Sequence, residues 1–177
     1  MHELTVTPLE IVNVPDDVLL DLSAWTRSGE RLSALGHSHP DAWLNELKSR
    51  PDHYLLYAES EPAQPESRIL GLMVCHADEE DFVADDVVLS PQGLEESAPY
   101  EMMRALARMA LACGCGAVVL RLGLATGDSA IGNFYRSLGG VVETLPTGEQ
   151  EFAFASQAME WLLDQAAHLQ HRLRDAR

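Results

Sequence analysis

The sequence predicts a mixed α/β domain. Amphipathic helical stretches alternate with short strand-like runs along the whole chain. Three such runs stand consecutively between residues 53 and 90, and a long helical pattern then leads into a near-continuous apolar run, Ala117–Leu124. The 177 residues suffice for one compact domain, which at this size buries roughly 70% of the surface of its unfolded chain. With 46% apolar and 23% charged residues the composition is that of an ordinary globular protein.

The elements follow from the pattern. Residues 3–8 alternate apolar and polar and read as a strand. Pro15 suits a first helical turn, with Asp16 and Asp17 where the helix dipole favours negative charge and Val18, Leu19, Leu22 and Trp25 as the apolar stripe. A second helix begins near Pro40, where Ser38 and Asp41 fit a capping box and Trp43, Leu44 and Leu47 form the inner face. Residues 53–59 and 69–77 read as an antiparallel hairpin across the loop Glu61-Pro62-Ala63-Gln64-Pro65-Glu66-Ser67, and residues 81–90 as the next strand. Ser97 and Pro99 open a helix to about Ala112, carried by Tyr100, Met103, Leu106, Ala107, Ala110 and Leu111 and stopped by Gly114 and Gly116. After the strand at Ala117, Asp128 or Ser129 caps a short helix that ends at Leu138 before Gly139-Gly140. Strands at 141–145 and 151–155 precede a last amphipathic helix, 157–174, with Ala158, Trp161, Leu162, Leu169 and Leu173 on one side. A strand running into a helix at Leu89–Met103 is a candidate anion site.

Charge is uneven. Residues 1–103 hold 21 acids and 5 bases, residues 104–177 hold 7 of each, and the total is −16. Between Arg68 and Arg104 stand nine acids and no base: Asp78, Glu79, Glu80, Asp81, Asp85, Asp86, Glu95, Glu96 and Glu101. Such a field repels phosphates, which argues against nucleic acid, and attracts polyamines, other amines or a basic protein surface. An acidic surface that only aids solubility accounts for the total equally well. No run is long enough to span a membrane and no secretory leader is visible, so a cytoplasmic location is expected. Cys75, Cys113 and Cys115 are an odd set without a secretory context, so no disulfide is expected. The pairs His37/His39 and His168/His171 lack counterparts at ligand spacing, so no metal site is expected either. His76, at a strand end, suits a structural role or a proton relay, and Cys113 and Cys115 suit packing at a helix end. Trp161 and the final helix offer either a homodimer surface or a face packed on the same domain.

The element order, together with Gly132-Asn133-Phe134-Tyr135-Arg136-Ser137-Leu138-Gly139, resembles the GCN5-related N-acetyltransferase (GNAT) family, which carries an F-Y-x-x-x-G helix end before its sixth strand. Residues 85–163 are most similar to the spermidine/spermine (diamine) N-acetyltransferases. The shared features are the Asp85-Asp86 pair, Ala110 with Cys113 and Cys115, Phe134-Tyr135, and a final strand with Ala158-Met159. The resemblance implies a mixed, mostly antiparallel central sheet with helices on both faces. It implies an acetyltransferase-like domain over 1–156 and a C-terminal amphipathic helix, 157–177, packed on the domain or on a partner. It also implies acetyl-CoA in a notch where the fourth and fifth strands splay, with an amine attacking the thioester. By position, Asp85 removes the amine proton and Tyr135 protonates the leaving thiolate. Cofactor contacts fall on Leu89, Ser97 and Asn133, and amine contacts on Glu79, Glu80 and Asp86. Without the resemblance, Tyr135 reads as a core or surface aromatic, and the acids read as a solvated strand end and a charged turn.

One segment departs from the family. Its R/Q-x-x-G-x-G/A loop cradles the CoA pyrophosphate on backbone N–H groups. Here the ungapped match places Leu94, Ser97 and Pro99 at the motif positions, and a two-residue shift places Gln92, Glu95 and Ser97 there. Pro99 has no N–H, Ser97 adds a Cβ with a hydroxyl, and Glu95 and Glu96 bring negative charge towards two phosphates. Two readings stay open: an active N-acetyltransferase with an altered CoA loop, or a catalytically degenerate relative that binds a basic protein partner as a regulator or inhibitor. Replacing Glu95 with Gln and Glu96 with Gly should strengthen CoA binding about tenfold or more, since one like-charge pair near 5 Å costs roughly 1–3 kcal/mol. Calorimetry showing no gain would remove carboxylate repulsion as the obstacle.

Overall fold

The computed structural model describes residues 3–26, 40–61, 69–89, 97–121 and 130–175. The capping Ser38, the histidines His37 and His39, the proline-rich loop, Leu94 to Glu96, and the caps Asp128 and Ser129 lie outside them, as do the side chains of Asp41, Asp86, His168, Leu169, His171 and Leu173. The order is β1 (Glu3–Glu10), a 3-10 turn (Ile11–Asn13), α1 (Asp16–Thr26), α2 (Pro40–Lys48), β2 (Tyr54–Glu61), β3 (Ile69–Asp78), β4 (Asp81–Leu89) and α3 (Ala98–Ala112). Then come β5 (Ala117–Arg121), α4 (Ala130–Ser137), β6 (Val141–Thr144), β7 (Gln150–Ala155) and α5 (Ser156–Asp175). The strands hydrogen-bond in the order β1-β2-β3-β4-β5-β7-β6. The β1–β2, β2–β3, β5–β7 and β6–β7 pairs are antiparallel. Only the β4–β5 pair, joined by the α3 crossover, is parallel among the described registers. The sheet is therefore mixed and mostly antiparallel, as the sequence predicts. No helix among the described residues is long and apolar enough to cross a membrane.

The chain forms two compact units, 1–76 with 85–102, and 77–84 with 103–177. In the first, Leu55 pairs with Val74 and Tyr57 with Leu72, so these four side chains share one face of the β2–β3 ladder. They join Leu22 and Trp25 of α1, and Trp43 and Leu47 of α2, in one buried cluster. The predicted stripes of both helices point inward because their spacing follows the 3.6-residue turn. Gly71 leaves room for a close approach: a Cβ there would lie 2.7 Å from Leu89 Cδ2 and 3.1 Å from Met102 Sδ. β1 runs two residues further than the alternation suggests, through Leu9↔Leu55 and Glu10↔Tyr54. Pro8 is accommodated because β1 is an edge strand.

In the second unit Val118 pairs with Phe154 and Leu120 with Phe152, all four buried. Val119 is only partly buried, so β5 alternates where two buried faces are predicted. α3 ends in a paired-hydrogen-bond cap, Gly114 N–H to Leu111 O (3.1 Å) and Cys115 N–H to Ala110 O (2.9 Å), with Gly114 at φ 74°. α4 ends the same way, Gly139 N–H to Arg136 O (3.0 Å) and Gly140 N–H to Tyr135 O (3.0 Å), with Gly139 at φ 94°. Three predicted packing positions are corrected. Leu111 is 38% and Trp161 46% exposed. On α5 it is Met159 and Leu162, three residues apart, that face inward, and Trp161, about 200° round the helix from Met159, faces away. Cys113 is exposed because it lies in the turn after the last α3 residue, whereas Cys115 is buried.

A Cβ on Gly140 would lie 2.8 Å from Phe154 Cζ and 2.9 Å from the Tyr135 carbonyl oxygen. Gly140→Ala should therefore destabilise the protein by about 1–3 kcal/mol in urea unfolding. An unchanged midpoint would show that the Phe154 ring moves aside freely.

Candidate active site

In the first unit the register sets the chemistry. Tyr54 pairs with Cys75, so His53, one step before β2, comes opposite His76 in β3. Their rings stack at 4.3 Å with 25° between planes. Asp85 joins them from β4, its Oδ2 3.0 Å from His76 Nδ1 and 3.9 Å from His53 Nε2. β4 opens at Asp81, so Asp85 stands in mid-strand rather than at a strand end. All three side chains are mostly buried. On the solvent side Asp52 Oδ1 lies 3.0 Å from His53 Nδ1. That hydrogen bond holds the Asp52 carboxyl below its ordinary range. Because a carboxylate only accepts, His53 Nδ1 is the donor in this hydrogen bond, and Nε2 is the ring nitrogen on the Asp85 side. His76 Nδ1 is buried and, among the described residues, makes no hydrogen bond despite the nearby carboxylate oxygen.

The same unit carries Leu89, at the end of β4, and Ser97. Ser97 is exposed, has φ 65°, and its carbonyl accepts the N–H groups of Tyr100 (3.1 Å) and Glu101 (3.2 Å). Pro99 is buried in the first turn of α3. Asp86 lies in β4, and its side chain is outside the described atoms.

The second unit holds the other predicted residues. Glu79 and Glu80 form the two-residue turn between β3 and β4, Glu79 at φ 53°. With Asp78 and Asp81 they line a polar hollow of about 430 Å³. The parallel ladder pairs Asp81–Ala84 with Ala117–Leu120, and residues 122–129 after β5 are outside the described set. Tyr135 is fully buried in α4 between Phe134, Phe152 and Phe154, with ring centroids 5.4, 5.7 and 6.3 Å away. Its hydroxyl finds no hydrogen-bond partner among the described residues, and burial pushes the phenol pKa well above its ordinary value. Asn133, two residues earlier, is exposed and accepts a hydrogen bond from Arg136 Nη1 at 3.1 Å.

Comparison with known proteins places this architecture. No family model matches the chain. No curated protein matches it either. Solved structures do. A GNAT-family acetyltransferase of Staphylococcus aureus Mu50 superposes with a TM-score of 0.60 at 9% identity, over 86% of this chain and 99% of that one. The PaiA N-acetyltransferase of Thermoplasma acidophilum, in complex with coenzyme A, gives 0.55 at 14% identity over 86% and 99%. An aminoglycoside acetyltransferase, AAC(6')-Ib, also in complex with coenzyme A, gives 0.60 at 12% identity over 89% and 98%. The chain has the GNAT fold.

Within the GNAT fold, the two units divide the predicted residues: Asp85, Leu89 and Ser97 in the first, Glu79, Glu80, Asn133 and Tyr135 in the second. Asp85 is brought together with His76 and with His53, which sequence reasoning passed over. The signal was present in the hairpin register, since strands starting near 53 and ending near 77 place the two histidines opposite one another. In the first turn of α3, Pro99 has no N–H and those of Tyr100 and Glu101 are engaged by Ser97 O.

A buried hydroxyl without a partner costs about 1–3 kcal/mol. Tyr135→Phe should therefore leave the fold intact and match or exceed the native protein in chemical unfolding. The phenol pKa is raised in the folded state above the ordinary 10.0, so its contribution is full below pH 10 and is lost as pH climbs beyond it. The native protein should accordingly lose more stability than Tyr135→Phe above pH 10; parallel alkaline curves would show that the hydroxyl is solvated.

Proposed function

We propose that the protein is an acyl-CoA-dependent N-acetyltransferase that moves an acetyl group to a primary amine of a cationic acceptor, polyamine-like or on a protein. The observation that carries this reading is the Tyr135 hydroxyl. It lies in the core with no hydrogen-bond partner among the described residues, on the helix whose F-Y-x-x-x-G end resembles the family motif, in a chain with the GNAT fold. Tyr135, with its pKa raised by burial, is protonated at neutral pH and can meet a departing sulfur as a donor, once the packing over its oxygen opens. Asp85 can take the proton the amine must lose to attack. Asp85 is short for that task, and a bridging water extends its reach. The acceptor class follows from charge: the acids at 78–81, with Asp86, favour cations. Acetyl-CoA supplies the acetyl group as a thioester. Within the first unit, Ser97 and the start of α3 are the residues that would meet its phosphates.

A second reading has its own support. The first turn of α3 lacks the Pro99 N–H and commits those of Tyr100 and Glu101 internally, which weakens an anion site. A degenerate acetyltransferase fold that binds a basic protein through its acidic surface is the reading this favours.

The two separate on one measurement. Millimolar acetyl-CoA should raise the melting temperature, and CoA release should follow with spermidine or a lysine-rich peptide. Asp85→Asn and Tyr135→Phe should each lower turnover about a hundredfold or more. Absence of both the thermal shift and CoA release would leave the second reading; unchanged turnover in either variant would remove that residue from the mechanism.

A further inference from the structure

The three side chains gathered by β2, β3 and β4 have a chemistry that acetyl transfer does not use in full. We infer that His53, His76 and Asp85 form a binding site for a divalent first-row transition-metal cation of the zinc type. Two imidazoles and one carboxylate are the donor set such ions prefer over the all-oxygen sets of Mg²⁺ and Ca²⁺. The ligand atoms lie within 4.8 Å of one another.

The spacing fits. With metal–ligand distances of about 2.0–2.2 Å, ligand atoms stand about 3 Å apart at right angles and about 3.4 Å apart at the tetrahedral angle. The observed 3.0 Å from Asp85 Oδ2 to His76 Nδ1 and 3.9 Å to His53 Nε2 bracket these values. His76 Nδ1 supplies an independent sign. It is buried beside a carboxylate oxygen, yet the two are not aligned for a hydrogen bond. A buried ring nitrogen that the neighbouring carboxylate does not engage by hydrogen bonding is left available as a ligand. His53 supplies another. Its Nδ1 is held by Asp52, the outer carboxylate that fixes ring and tautomer at metal-bound histidines and directs Nε2 inward. Three protein ligands leave at least one coordination position for water or a small anion.

The site shares Asp85 with the proposed acetyl transfer, but its test reads metal binding and needs no acetyl-CoA. Chelator-treated full-length protein is titrated with Zn²⁺ by calorimetry and with Co²⁺ by visible absorption. One high-affinity ion per chain is expected, with a Co²⁺ ligand-field band and a raised melting temperature under Zn²⁺. His53→Gln, His76→Gln and Asp85→Asn should each weaken Zn²⁺ at least tenfold and abolish the band. Asp52→Asn, at an exposed position that does not endanger folding, should weaken binding about 10–100-fold while circular dichroism stays native. His168→Gln should change nothing. The inference is overturned if Zn²⁺ does not bind at millimolar concentration, or if binding survives all of the His53, His76, Asp85 and Asp52 substitutions.

Discussion

The antiparallel register of β2 on β3 is the constraint on which the first unit depends. Pairing Leu55 with Val74 and Tyr57 with Leu72 sends those side chains to the face covered by α1 and α2. The same register, one step on, stacks His53 on His76. Because side chains alternate with period two, a slip of one residue would turn the apolar set outward and part the two rings together. The hydrophobic core and the histidine pair are thus fixed by one set of backbone hydrogen bonds. The pairing is further anchored where Ile11 N–H donates to the His53 carbonyl at 3.0 Å.

In the second unit the comparable constraint is the sharp end of α4. Glycines at 139 and 140 let the chain double back with Gly140 N–H on Tyr135 O, and Phe154 fills the space that a side chain at 140 would need. Tyr135 is consequently held at both ends of its own structure: the carbonyl by the helix cap, the ring by three phenylalanines. Its oxygen has no hydrogen-bond partner among the described residues. Backbone and ring answer to folding, and the hydroxyl is the part of the residue that folding does not explain.

Most of the fold was legible in the sequence because its elements declare themselves by period. The helices 16–26, 40–48 and 98–112 and the strands of the central hairpin fall within a few residues of their predicted bounds. The misses have local causes. Trp161 was grouped with Ala158 and Leu162 on one side of the last helix, facing either a second copy or the same domain, but its angular position on α5 parts it from the buried Leu162 and leaves it exposed. Cys113 reads as the end of a buried helix and lies in the turn beyond it. The site was legible only in part. Tyr135 and Asp85 were singled out through resemblance, as expectations. His53 was not, because it stands 23 residues from His76 and only strand pairing makes them neighbours. A search for ligands at short sequence spacing inspects His37/His39 and His168/His171 and passes over a cluster assembled from three separate segments.

Asp85 has two claimants. As a base it must offer an oxygen to a proton; as a ligand it would give that lone pair to an ion shared with the histidines. One oxygen, Oδ2, faces both rings, and an ion held there would draw charge from the carboxylate and lower its basicity. Divalent metal would then act as a competitive brake on proton removal, its threshold set by how tightly three side chains hold it, and the supply of free ion around the protein would decide which of its two states prevails.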